Sequence, residues 1–297
     1  MLRIIDPETL GINILNHPEL DGSPGCGSCA AFRPSPQPSG NLQVDPEINL
    51  PSVGMDINIA YFYNAASTFN GPYGYGRTIS PNLLAQASGS PTIVTMVRGT
   101  GAIVTYQSNG SGGFNTYTPN VFTTLTEDTT DGLWLETTPN GRVTAYPLNT
   151  TGQVTSVTYI QDPAGPRQTF TYGSGGVLQN ITDAVGRNVT FTYASNLLQV
   201  IQDWAGRRTT FAYNTTMVAG KPVLTTVTGP TGCQTQYQYN STAQLTGIVD
   251  PNGYSTTYTY DSMGRIALRG VAGVGITTYT YGGSSVGGTP VSYQMMI

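Results

Sequence analysis

Four carboxylates recur at one place in a repeating pattern: Asp162, Asp183, Asp203 and Asp250, each three residues ahead of a glycine, Gly165, Gly186, Gly206 and Gly253. Facing carboxylates are what general acid–base and glycoside chemistry needs, and a row of them along one rim suits cations or sugars. The constant Asp-x-x-Gly spacing has a nearer cause. An Asp side chain bonds the backbone two residues on, and Gly accepts positive φ, which together make a tight turn. These eight residues are read as turn residues, and no catalytic, cofactor or metal residue is assigned. The single histidine, His17, lies far from the repeats and leaves them no imidazole base for a Ser or Cys nucleophile. Cys26-Gly-Ser-Cys29 is half a zinc site, and His17 with Cys233 would have to supply the rest, whereas structural zinc sites use two close pairs. A disulfide within Cys26–Cys29, or from there to Cys233, is the alternative in an oxidising compartment, with free thiols the third reading.

The elements that hold these turns are strands. After each turn comes a period-two run closing on an aromatic pair: Phe170 and Tyr172, Phe191 and Tyr193, Phe211 and Tyr213, Tyr237 and Tyr239, Tyr258 and Tyr260. The closing tyrosines recur at intervals of 21, 20, 26 and 21 residues, so one unit is being copied. Within Val189-Thr-Phe-Thr-Tyr193 the pleat puts Val189, Phe191 and Tyr193 on one face and the threonines on the other. Each copy reads as a β-hairpin with its aromatic stripe inward, and a lone hairpin is marginal in water, so the copies must stack. The expected fold is all-β: stacked antiparallel hairpins forming a strip or partial shell, with an extended N-terminal arm.

This pattern resembles the YD repeats of the Rhs/teneurin-like family. Asp183-Ala-Val-Gly-Arg187, Asp203-Trp-Ala-Gly-Arg207 and Asp261-Ser-Met-Gly-Arg265 match its Asp-x-x-Gly-Arg signature; Asp162-Pro-Ala-Gly-Pro166 and Asp250-Pro-Asn-Gly-Tyr254 lack the Arg, and Gly229 replaces the Asp in another copy. Upstream, Ile48-Asn-Leu-Pro-Ser-Val-Gly54, Tyr61-Phe-Tyr-Asn64 and Gly71-Pro-Tyr-Gly-Tyr-Gly-Arg77 look like the segment that opens the repeat shell there. The resemblance spans residues 45 to 281, an opening segment and five to six repeats. It implies a hollow, hairpin-walled shell in long members. Such members also carry a self-cleaving segment and a toxin after the repeats; nothing here matches either, so neither activity is carried over.

Composition narrows the function classes. The chain has 297 residues, 37 glycines, 20 prolines, 19 tyrosines and only 9% charged residues, which describes a turn-rich β protein with little place for helix. At a net charge of −4, with Lys221 the only lysine, it lacks the basic stripe that displaces counterions from nucleic acid. No apolar run is long enough to span a bilayer as a helix. Residues Met1 to Glu8 hold no uninterrupted signal core, because Asp6, Pro7 and Glu8 arrive too early. The threonine-rich, lysine-poor surface nevertheless favours an extracellular or cell-surface setting.

In order, residues 1–45 read as an extended arm with the Pro-rich linker Pro34–Gly40, 46–150 as a β-rich opening region continuous with the repeats in one sheet, 151–281 as the hairpin repeats, and 282–297 as a Gly-rich link with a short strand. Sequons stand at Asn109, Asn149, Asn180, Asn188, Asn214 and Asn240, little more than a Ser- and Thr-rich chain gives by chance. Too few hairpins are present to seal a shell, so a strip with open edges is expected, and open edges recruit strands. The leading expectation is a non-enzymatic structural protein that self-assembles by strand addition into an extracellular filament, tube or sheath, with the arm pairing to a neighbour and the chain itself as partner. The alternatives are a carbohydrate-binding or adhesive module that holds polysaccharide on its tyrosines, and a shell fragment of a longer Rhs toxin.

Overall fold

The structure, a computed structural model, describes residues 42–44, 47–90, 92–149, 152–214 and 216–282, and the backbone of 285–286, 289–290 and 294–296. It is all-β. Among the described residues there is no α-helix, and one 3₁₀ turn at Ser174–Gly176. Residues 1–41 of the arm, with His17, Cys26 and Cys29, lie outside them.

The chain opens with β1 (Gln43–Val44), β2 (Glu47–Leu50), β3 (Ile57–Asn64), β4 (Asn70–Gly71), β5 (Gly74–Tyr75) and β6 (Arg77–Ile79). β3 is the centre of this group and pairs with β1, β2 and β6. Next come β7 (Leu84–Ser88), β8 (Ile93–Val97), β9 (Ile103–Ser108) and β10 (Phe114–Thr116), then β11 (Thr124–Asp128), β12 (Leu133–Thr137), β13 (Val143–Pro147) and β14 (Val154–Ser156). β14 leaves its sequence neighbours to pair with β7, giving a five-stranded sheet ordered β10-β9-β8-β7-β14.

The repeats follow: β15 (Tyr159–Gln161), β16 (Arg167–Tyr172), β17 (Leu178–Thr182), β18 (Asn188–Ala194), β19 (Leu197–Gln202), β20 (Arg208–Tyr213), β21 (Leu224–Thr228), β22 (Gln234–Tyr239), β23 (Leu245–Val249), β24 (Ser255–Tyr260), β25 (Ile266–Val271) and β26 (Gly275–Thr278). With β11, β12 and β13 they make one antiparallel sheet of 15 strands, every neighbour adjacent in sequence apart from the excursion of β14. Beyond it, β27 (Thr280–Gly282), β28 (Ser285–Val286), β29 (Thr289–Pro290) and β30 (Gln294–Met296) pair as β27 with β30 and β28 with β29. The expectation of one continuous sheet from the opening region onward is therefore corrected: β1 to β10 belong to other sheets, because the chain turns back to cover the repeats instead of extending them.

The pleat sorts the side chains as the alternation requires. Val189 is fully buried and Phe191 3% exposed, while Thr190 and Thr192 face solvent. Each repeat also carries a bulge. Pairing slips by one residue just before Tyr172, Tyr193, Tyr213, Tyr239 and Tyr260, leaving one extra residue on the returning strand each time. Bulges bend the strand that carries them and add twist, so five in register curl the sheet. The inner face of that curl is packed by the opening strands, in one core that joins Tyr61, Tyr63 and Ile79 to Phe170, Phe191, Phe211, Tyr237 and Tyr258. Burying one such ring contributes about 2–3 kcal/mol.

Candidate functional site

The turn aspartates stand on one rim, between successive strand pairs. At Asp183 one carboxylate oxygen accepts the backbone N–H of Val185 at 3.0 Å and of Arg187 at 2.8 Å; the other accepts Arg187 Nε at 2.7 Å and the Ser52 hydroxyl at 2.9 Å. Asp203 repeats the arrangement with Ala205, Arg207 and Arg207 Nε at 2.9, 2.9 and 2.6 Å. Burial alone would push both carboxyls up, but the hydrogen bonds from the arginine side chain and backbone outweigh it and hold both below the ordinary aspartate value. Asp250 accepts the N–H of Asn252 and Tyr254, each at 2.9 Å, and Asp162 that of Ala164 at 2.9 Å, with no arginine at either turn. Gly165, Gly186, Gly206 and Gly253 have φ of 106, 85, 79 and 85°, the left-handed values that close these turns. Carboxylates so engaged each serve their own turn and do not converge in pairs.

Asp261 builds the same turn, accepting Met263 and Arg265 N–H at 2.9 Å and Arg265 Nε at 2.8 Å. It follows the closing Tyr260 and connects β24 to β25, so it lies on the opposite rim from Asp183 and Asp203. The two motifs share a local sequence because they share a turn, not a place in the repeat. At some turns the arginine also links to the next copy: Arg187 stacks 4.0 Å from the Trp204 ring centre, and Arg265 4.4 Å from that of Tyr281.

On the inner face the opening segment meets the repeats strand by strand. Gln168 donates to the carbonyl of Met55 at 2.9 Å, and Arg187 to that of Pro51 at 3.3 Å. Leu198 N–H donates to Pro72 at 2.8 Å and Tyr75 N–H to Pro222 at 2.7 Å. Tyr61 stacks on Phe211 at 4.8 Å, with its hydroxyl 3.0 Å from that of Tyr213 and donating to the Tyr73 carbonyl at 2.9 Å. Leu245 N–H donates to the Tyr63 hydroxyl at 3.0 Å. The last two closing tyrosines also bond the preceding return strand, Tyr260 donating to the Leu245 carbonyl and Tyr281 to that of Ile266, both at 2.6 Å, and the Tyr260 hydroxyl meets that of Tyr63 as well.

At the centre of this face Arg77 is fully buried. Its guanidinium lies 4.4 Å from the Tyr237 ring centre and 5.2 Å from that of Tyr63, and donates to the Tyr239 hydroxyl at 3.1 Å. Burial pushes the Tyr237 phenol up to about 12 despite the nearby cation, so the cage stays neutral and binds Arg77 through ring faces. A second buried charge, Glu136, takes both Arg98 nitrogens and the Tyr106 and Thr123 hydroxyls. Sequence reasoning singled out neither cluster. The signal was present: Glu136 shares the inward phase of Trp134, and Arg77 that of Ile79.

Phe170, Phe191, Phe211, Tyr237 and Tyr258 are buried, and Tyr172, Tyr193, Tyr213, Tyr239 and Tyr260 half-buried, on this packed face. Cys233 is disulfide-bonded. Among the sequons, Asn149 is wholly engaged, accepting Ala87 N–H and donating to the Ala85 and Gln153 carbonyls. Asn180 bridges Thr171 and Thr190, Asn188 accepts the Thr182 hydroxyl, and Asn109, Asn214 and Asn240 each accept backbone N–H groups in their loops. Among the described residues no group of three or more His, Cys, Asp or Glu could hold a metal ion, and no helix is long and apolar enough to cross a membrane.

Two open features lie at the β26 end of the large sheet. The outer side of β26 has no partner strand among the described residues. Beside it, on the outer face, lies a surface hollow of about 420 Å³ bordered by Ser255, Thr257, Gly270, Val274 and Ile276. Val274 and Ile276 are 70% and 72% exposed.

Residues 244–274 match the family model described as RHS Repeat. No curated protein matches the chain. Among solved structures, TcdB2-TccC3 aligns at 12% identity and a TM-score of 0.43 over 89% of this chain, which spans only 17% of that one. The N-terminal domain of effector protein SpvB from Salmonella typhimurium aligns at 13% identity and 0.30, covering 84% of this chain and 97% of that one. A porin-like protein from Bacteroides uniformis aligns at 16% and 0.29, covering 77% and 100%.

Proposed function

Starting from an RHS repeat at residues 244–274, set in a run of hairpins of the same build, we propose that the chain is a non-enzymatic structural subunit of the Rhs type. It self-assembles by strand addition into a filament, tube or sheath outside the cell. The outer edge of β26 carries this reading. Tyr279 N–H donates to Ala267, so by alternation Gly275 and Thr277 also face β25, while the N–H and C=O groups of Ile276 and Thr278 point away from the sheet. An edge is usually guarded by charge, proline or a bulge; Gly275-Ile-Thr-Thr278 has none of these. The concave face, where an enzyme would need a cleft, is occupied by the chain's own opening strands.

A second reading, a wall segment of a larger Rhs-type shell, is favoured by one observation: Ile276 to Tyr281 has the pattern of a repeat strand, which another hairpin of the same wall would pair. The polysaccharide alternative loses the repeat tyrosines, which pack inward, and among the described residues rests on exposed Tyr117 and Tyr254. Light scattering and negative-stain microscopy of the purified chain test the leading reading. Mass rising with concentration supports it; a monodisperse monomer at every concentration overturns it.

A further inference from the structure

The 15 strands of the large sheet are joined only by antiparallel pairs, so its two edge strands, β11 and β26, run in the same direction. That parity restricts how two copies can join. With tyrosine faces on the same side, β11 of a second copy can meet β26 only as a parallel pair. Making that pair antiparallel turns the second copy's face over. A two-fold axis along the sheet normal instead sets β26 against β26, antiparallel, with both faces continuous. Antiparallel pairing is the more stable per residue.

Charge separates the two edges further. Thr138 N–H donates to Arg142, so Trp134 and Glu136 face β13, while Leu133, Leu135 and Thr137 face β11. Thr124, Thr126 and Asp128 therefore turn their backbone groups to β12, leaving those of Leu125 and Glu127 on the other side, where Leu125 is buried and Glu127 is open. Glu127 is exposed on this edge, and a two-fold pairing of β11 brings carboxylates of both copies together. β26 has no charge, and β27 is already paired with β30, which confines the free edge to Gly275–Thr278. A two-fold there can place Ile276 against its own counterpart.

We infer that the first junction between copies is an isologous β26–β26 pair with Ile276 at its centre. The β11 edge joins only once the charge of Glu127 is removed or screened. This rests on the strand-addition reading above and names its partner surface. A junction of four residues a side buries far less than the roughly 1,200 Å² of a stable interface, so the dimer is weak and concentration-dependent.

Sedimentation velocity on the full chain tests this. The wild type is expected to form dimers at low salt, Ile276→Lys to remain monomeric, and Glu127→Gln to grow past the dimer. High salt should extend the wild type in the same way. Ile276→Pro, which removes an outward N–H that no internal bond uses, should match Ile276→Lys, and circular dichroism checks that both are folded. Labelled Ile276→Lys is then mixed with Glu127→Pro. Each has one edge blocked and the opposite edge unaltered, so head-to-tail joining gives a heterodimer and same-edge joining gives none. A heterodimer, or a dimer surviving Ile276→Lys, overturns the inference and leaves strand addition standing. A wild type monomeric at every concentration and salt overturns both.

Discussion

Replacing Asp183 by Ala measures how firmly the opening segment is fastened to the repeats. The carboxylate is fully buried and accepts four hydrogen bonds: two from its own turn, one from Arg187 Nε and one from Ser52, which lies 131 residues earlier in the chain. Hydrogen bonds to a charged group contribute about 1.5–3 kcal/mol each where both partners are desolvated. Arg187 is 34% exposed and regains water when its partner is lost, so its share is discounted. The two backbone donors and Ser52 are less free to do so, and the expected loss is about 3 kcal/mol, or about 6–12 °C in Tm for a unit of this size. Asp162→Ala is the control. It occupies the same turn with one side-chain acceptor bond and no arginine, and should lose about 1 kcal/mol. Urea unfolding followed by tryptophan fluorescence is the assay, since Trp204 lies against Arg187. Equal losses at Asp162 and Asp183 would refute the fastening. A double-mutant cycle with Ser52→Ala should return a coupling of about 1 kcal/mol, and additivity would refute the contact.

Other outcomes follow from the same geometry. Asp183 and Asp203 have folded pKa values below the unfolded aspartate value, so their contribution is complete above a pH of about 4 and is lost as pH falls through the lower folded values; an acid titration of Asp203→Asn should show less stability lost in that window than the wild type. Gly186→Ala places a Cβ in open space at a φ of 85°, so backbone strain alone should reduce stability by about 1 kcal/mol, read by thermal unfolding. Tyr61→Phe removes the hydroxyl bonded to Tyr73 and Tyr213 and should lose about 1–2 kcal/mol while the ring stays stacked on Phe211.

Much of this fold is legible in the residues. Period two in Val189–Tyr193 and the Asp-x-x-Gly turns are local properties, and local chemistry suffices to place hairpins. Legibility ends where partners are distant. Ser52 gives no sign that it meets Asp183, nor Tyr61 that it stacks on Phe211, because both contacts depend on a curl produced by five bulges that alternation alone does not reveal. Asp261 misleads for the opposite reason: its turn matches that of Asp183, while its rim is set by which side of Tyr260 it stands on. Glu136 and Arg77 break the apolar rule of the inward face, and their compensation comes from outside their own strands: Arg98, just past β8, for Glu136, and the rings of Tyr63 and Tyr237 for Arg77.

Residue-resolved hydrogen exchange over a concentration series tests the open edge most directly. The amides of Thr277 and Tyr279, which face β25, should exchange slowly throughout, while those of Ile276 and Thr278 exchange fast in dilute solution and slow as copies join. Fast exchange at Ile276 and Thr278 at every concentration would contradict assembly through this edge.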